Sequence, residues 1–232
     1  MKAKGKPGTT GAAVPPRVRI KICGLTRPED ARLALTLGAD YLGFIFAPSP
    51  RQVAPAAVSA IVRCLEEEQT GKRTQGFTAA ERVGVFVDAD RDFVHEATRR
   101  ADLTMLQLHG DEDPEYCGQF SLPVIKALRI RDRGIFELVH SYHTPYILVE
   151  PYVRGKRGGT GMQANWQLAA ELVQTFPDKR FFLAGGLRAE NVQVAVAAVR
   201  PFAVDASSAL ESRPGIKDRQ KMQAFIEAVR NR

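Results

Sequence analysis

Cysteine is scarce in this chain. The 232 residues hold three, Cys23, Cys64 and Cys117, with no Cys-x-x-Cys pair. An odd, scattered set argues against a disulfide framework or a zinc site. Long apolar runs are missing too. No stretch of 18 apolar residues occurs, so no membrane partner is expected. The first 17 residues have no apolar segment fit for a signal-peptide core, and the protein is expected to be soluble and cytoplasmic. Those residues also lack any acid. Lys2, Lys4, Lys6 and Arg17 supply four of the net +7 charges, and 1–17 reads as a disordered basic tail ahead of one domain, 18–232. Helix-turn-helix, zinc-finger and aromatic-basic RNA patterns are absent, so no nucleic-acid partner is expected despite the charge.

What is present is a regular alternation. Hydrophobic residues make up 44% of the chain, enough to build a sizeable core. β-rich runs begin near Val18, Tyr41, Val83, Thr104, Pro123, Tyr146, Phe181 and Phe202. Amphipathic stretches separate them at 28–37, 55–68, 91–101, 113–120, 132–142, 165–176, 188–199 and 217–230. Pro28 after Thr26, Asp113 before Pro114, and Asp132 are helix-start signals. Eight strands each followed by a helix predict a (β/α)8 TIM barrel. An open doubly wound sheet would want a G-x-G-x-x-G loop after its first strand, and none follows Cys23. Residues 66–80 follow a helix and read as an inert loop on the face opposite catalysis. Residues 151–164, PYVRGKRGGTGMQA, follow a strand and read as a loop closing over substrate.

Strand parity then selects the chemistry. In Val18-Arg19-Ile20-Lys21-Ile22-Cys23, the period of two turns Arg19, Lys21 and Cys23 inward, with Cys23 at the catalytic end. A positive Lys21 beneath it would lower the thiol pKa. In Tyr146-Ile147-Leu148-Val149-Glu150, Glu150 points inward at the same end, where apolar surroundings favour a general acid. A structural pairing of Glu150 with a nearby Arg or Lys, such as Lys21 or Lys126, is the competing reading. Gly185-Gly186 after strand seven and Asp205-Ala206-Ser207-Ser208 at the end of strand eight suit an approaching phosphate. Arg51 after strand two offers a fork for a carboxylate. His109 and Asp88, also at strand ends, read as structural, and Trp166 as a packing residue.

Taken in order, these motifs closely resemble the phosphoribosylanthranilate isomerase family of tryptophan biosynthesis, over about 18–230. The resemblance rests on Lys21-Ile22-Cys23-Gly24-Leu25-Thr26, Gly38-Ala39-Asp40, Gly43-Phe44-Ile45-Phe46 and Ser49-Pro50-Arg51. It continues through Val83-Gly84-Val85-Phe86, Gln107-Leu108-His109-Gly110 and Gly158-Gly159-Thr160-Gly161. It ends with Gly185-Gly186-Leu187, Glu190-Asn191-Val192, Pro201-Phe202-Ala203-Val204-Asp205 and Ser207-Ser208. It implies an Amadori rearrangement of N-(5-phosphoribosyl)anthranilate without metal or organic cofactor. An acid protonates the furanose ring oxygen, the ring opens to a Schiff base, and a base removes the C2 proton. By resemblance Cys23 is the base, Glu150 stands at the acid's place, and Arg51 meets the anthranilate carboxylate. The strand-seven and strand-eight loops hold the phosphate. The expected substrate-binding set is Lys21, Arg51, Gly185, Gly186, Asp205, Ser207 and Ser208, with the chain a monomer or homodimer. Two positions depart from the family pattern. Glu150 replaces an aspartate, and Ala209 stands where the family usually has glycine. Action on another phosphorylated aminosugar, or non-catalytic binding of a phosphorylated metabolite, are the alternatives.

Overall fold

A parallel strand buried on both faces must sort its side chains into two layers, and this chain does so. The computed structural model describes residues 17–70, 80–151 and 166–231. The strands β1 (Arg19–Cys23), β2 (Tyr41–Ile45), β3 (Glu81–Phe86), β4 (Met105–Leu108), β5 (Val124–Ile130), β6 (Tyr146–Pro151), β7 (Arg180–Leu183) and β8 (Ala203–Ala206) alternate with helices. They pair in parallel, each with the next, and β8 pairs back onto β1 to close the barrel. Ile20 and Ile22 pack outward with helix residues such as Val58, Val196 and Phe225. Tyr41, Val83, Met105, Ile125, Leu148 and Phe182 fill the interior. The expected barrel is the observed one, and no described helix is long and apolar enough to cross a membrane.

The helices are α1 (Pro28–Thr36), α2 (Pro55–Thr70), α3 (Arg91–Arg100), α4 (Pro114–Cys117), α5 (Ile135–Ser141), α6 (Trp166–Thr175), α7 (Ala189–Val199) and α8 (Arg219–Arg230). Four local expectations need correction. The helix expected over 55–68 runs on to Thr70 and takes the start of the 66–80 segment, because Glu66-Glu67-Glu68-Gln69 contains only good helix formers. The helix expected over 113–120 is the single turn α4. Asp113 caps it by accepting from the Tyr116 amide, and Gly118 ends it. The helix expected from 132 starts at Ile135, since the Asp132 side chain accepts from the Gly134 amide and makes a turn instead. The helix expected from Lys217 begins at Arg219 with Asp218 as its cap. Before it stands an unexpected antiparallel hairpin, β9 (Glu211–Arg213) and β10 (Ile216–Lys217). The tail, the centre of the 66–80 segment and nearly all of the 151–164 segment lie outside the described residues.

At the N-terminal rim Asp40 gathers the Arg17, Arg19 and Arg230 guanidiniums at 3.0–3.2 Å and the Ile20 amide at 2.8 Å. Arg19 was expected in the interior. It instead leaves the barrel at this rim, because the first residue of a strand has solvent and a carboxylate within reach. This clip ties β1, the α1–β2 turn and α8 together, leaving the opposite rim for chemistry.

Candidate active site

The C-terminal ends of the strands surround a cavity of about 390 Å³. Cys23, Arg51, Glu150, Gly185, Gly186, Asp205, Ser207 and Ser208 all line it. Lys21 does not. It is fully buried one layer below, with Nζ 3.0 Å from Asp205 on the adjacent β8, opposite it in register. Its place is therefore support beneath the site and not the direct ligand contact expected from the sequence.

Cys23 is 6% exposed. Its neighbour across the sheet is Gly43, where a Cβ would stand 2.9 Å from the thiol sulfur, so only glycine leaves that sulfur its position. Burial pushes the Cys23 thiol up; the Lys21 charge pulls it down but Asp205 works against it, and the net direction is upward. This reverses the lowering expected from Lys21. Burial alone would lower the ammonium of Lys21 as well, and Asp205 reverses that, so the cation stays charged and stays paired. Its field is shared between the carboxylate and the thiol.

Glu150 is 3% exposed. Lys21 and Lys126 are engaged elsewhere, with Asp205 and with Glu112 at 2.6 Å, so of the cations read from the sequence an arginine takes that place. Glu150 Oε1 lies 2.9 Å from Nε2 of His109 and 3.7 Å from Nε of Arg129. His109 also lines the cavity, and its Nδ1 is 2.7 Å from Nε2 of Gln107. The sequence showed no partner for His109, and the structure gives it Glu150. The sequence signal was the parity of Gln107, on β4, and His109, just past its end. The missing piece was their approach to β6, two strands away. Asp88, by contrast, accepts from the Asp111 amide at 2.6 Å in a turn with φ +46° and is not on the cavity wall.

Arg51 gives Nε and Nη2 to the two oxygens of Glu211, at 2.8 and 2.7 Å. One fork of its guanidinium is thus filled from within the protein, and its end-on edge remains for a ligand. Lys217 Nζ donates to the same carboxylate at 2.9 Å and to the Ser207 carbonyl at 3.1 Å. Burial would raise the Glu211 carboxyl, but Arg51 and Lys217 hold it below the usual range. Glu211 and Lys217 were not singled out in the sequence, because they sit on the hairpin that the periodicity did not show. Gly185 and Gly186 turn with φ +91° and +69°, which a side chain would resist. Ser208–Leu210 forms one 3-10 turn. Ala209 is inside it and has no positive φ, so alanine there carries none of the strain that replacement of a glycine suggested.

A family model described as N-(5'phosphoribosyl)anthranilate (PRA) isomerase matches residues 20–228. The N-(5'-phosphoribosyl)anthranilate isomerase of Nitrosomonas eutropha is 40% identical over 218 residues, covering 93% of this chain and 98% of its own. The crystal structure of phosphoribosyl anthranilate isomerase from Thermus thermophilus is 36% identical, with a TM-score of 0.77, covering 92% of this chain and 99% of that one. A structure of the enzyme in complex with reduced 1-(o-carboxyphenylamino)-1-deoxyribulose 5-phosphate is 32% identical, with a TM-score of 0.75, over 93% of this chain and 100% of that one.

Proposed function

The chain belongs to the N-(5'-phosphoribosyl)anthranilate isomerase family, and on that premise we propose that it rearranges N-(5'-phosphoribosyl)anthranilate with Cys23 as base and Glu150 as acid. It is an aldose–ketose isomerase of tryptophan biosynthesis, and we place it in the cytoplasm. The observation that carries the assignment is that the Cys23 thiol and the Glu150 carboxyl, each almost wholly buried, line the same cavity.

The steps follow from that pair. Glu150 gives a proton to the furanose ring oxygen. The bond from C1 to that oxygen breaks, its electrons go to the new hydroxyl, and the nitrogen lone pair closes a C1=N Schiff base. Cys23 as thiolate removes the C2 proton, and the resulting enamine tautomerises to the ketone. A raised thiol pKa leaves less thiolate at neutral pH but makes each thiolate a stronger base. The ligand seen in the relative has a carboxylate at one end and a phosphate at the other. The end-on edge of Arg51 suits the first. The backbone turns at Gly185-Gly186 and Ser207-Ser208 suit the second.

Glu150 is the assignment with most at stake, because it replaces an aspartate. Glu150→Gln is expected to abolish product formation, since an amide does not deliver a proton at useful rates. Glu150→Asp is expected to stay within about 100-fold of the wild type, the scale of a displacement of roughly 1 Å. An active but less stable Glu150→Gln would end the general-acid role and leave Glu150 a structural anion.

A further inference from the structure

We propose that His109, held in one tautomer by Gln107, is a positioning residue that aims the Glu150 carboxyl and stabilises the carboxylate left after proton transfer. The inference rests on Glu150 being the acid.

The tautomer follows from what each neighbour can do. Once Glu150 has given up its proton, its oxygens only accept. The 2.9 Å contact to Oε1 then requires hydrogen on Nε2 of His109. In a neutral imidazole this leaves Nδ1 as an acceptor, and Gln107 Nε2 stands 2.7 Å from it as donor. Gln107 is 1% exposed, and its Oε1 has no hydrogen-bond partner among the described residues. A buried amide oxygen left so is costly. The orientation of Gln107 thus serves the imidazole before its own acceptor.

The chain Gln107 to His109 to Glu150 engages Oε1, and the transferable proton is assigned to the other oxygen. In the ground state the bond from His109 meets a neutral carboxyl. After transfer it meets a carboxylate, and a charge-assisted bond is about twice as strong. Support that grows as the proton leaves accelerates the step itself. Among the described residues, the nearby cations stand farther off or are engaged elsewhere. Arg129 Nε is 3.7 Å from Glu150 Oε1, and its Nη1 is 3.8 Å from Asp111. Lys126 is committed to Glu112, which also holds the Gly110 amide. Cys23, Arg51 and Asp205 border the same cavity but belong to the β1, β2 and β8 ends.

The test is the pH profile of kcat and KM for His109→Ala and His109→Gln, run beside Glu150→Gln. His109→Ala should lower kcat 10- to 100-fold with KM within about threefold, the range of general-acid effects. The limb of its pH profile that reports Glu150 should move to higher pH, because the carboxylate has lost a donor. His109→Gln, whose amide can still donate, should recover part of the rate. In a Glu150→Asp background the shorter acid withdraws from His109, so removing the histidine should then cost little more. Gln107→Leu, which leaves His109 in place, should lower kcat in the same direction and covers the case where His109→Ala does not fold. Wild-type kcat and an unmoved Glu150 limb in His109→Ala, with Glu150→Gln inactive, overturn this role alone. A functional Glu150→Gln overturns the acid assignment beneath it.

Discussion

At Cys23 two opposed effects meet, and the buried environment wins over the cation. The thiol is nearly sealed beneath the cavity. Lys21 helps it less than parity suggested, because Asp205 takes the ammonium at 3.0 Å. That pairing joins residues 184 apart in sequence and exists only because the barrel closes β8 on β1, so no reading along the chain gives it. The inward position of Cys23 and Glu150 was legible, since alternation needs only a strand and its end. The contact of His109 with Glu150 was not, since it depends on which strands are neighbours. The raised thiol sets a solution behaviour. In a chain with Cys64→Ser and Cys117→Ala, alkylation of Cys23 should keep accelerating as the pH rises past about 8.5, the usual thiol value. A plateau below neutrality would mean that Lys21 dominates after all.

The β9–β10 hairpin shows how an element of five residues can organise a site. It follows the Ser208–Leu210 turn and brings Glu211 and Lys217 under the cavity, where Glu211 grips Arg51 side-on. Strands of three and two residues are too short to carry a periodic signal, and Pro214-Gly215 marked only a turn. The main strands and helices, at four to sixteen residues, were long enough to read, though their ends shifted by one to three residues where a cap or turn intervened. Glu211→Gln keeps the volume but gives up one acceptor oxygen and the charge. It should raise KM for the carboxylated substrate about tenfold, roughly 1.4 kcal/mol, and much less for an analogue without the carboxylate. An equal rise for both would separate Glu211 from the aim of Arg51. The same variant reports on acid stability. A carboxyl held below its usual range contributes stability above about pH 4.3 that is lost as the pH falls through the lowered value. The wild type should therefore lose Tm more steeply in acid than Glu211→Gln, and parallel curves would contradict this.

Across the whole molecule the two rims divide the work. The N-terminal rim is tied by Asp40 and its three arginines, which join both ends of the described chain. The C-terminal rim carries the cavity, the paired thiol and carboxyl, and the glycine turns. This polarity follows from the fold, because every β-to-α connection opens on one side and every α-to-β connection on the other. It was the most legible feature of the sequence, since it needed only the order of the elements. The substrate chemistry was legible only through the motifs, which name residues but not the distances between them. The account as a whole depends on one buried thiol taking a proton from carbon at that rim. The direct measurement is turnover of N-(5'-phosphoribosyl)anthranilate by Cys23→Ser, with circular dichroism to show that the barrel is intact. A hydroxyl is a far weaker base at neutral pH, and kcat should fall by 100-fold or more, within the 10²–10⁴ range of general-base catalysis, while KM stays within a few-fold. A folded Cys23→Ser that keeps more than about a tenth of the wild-type kcat, well short of that range, would show that the base is another group.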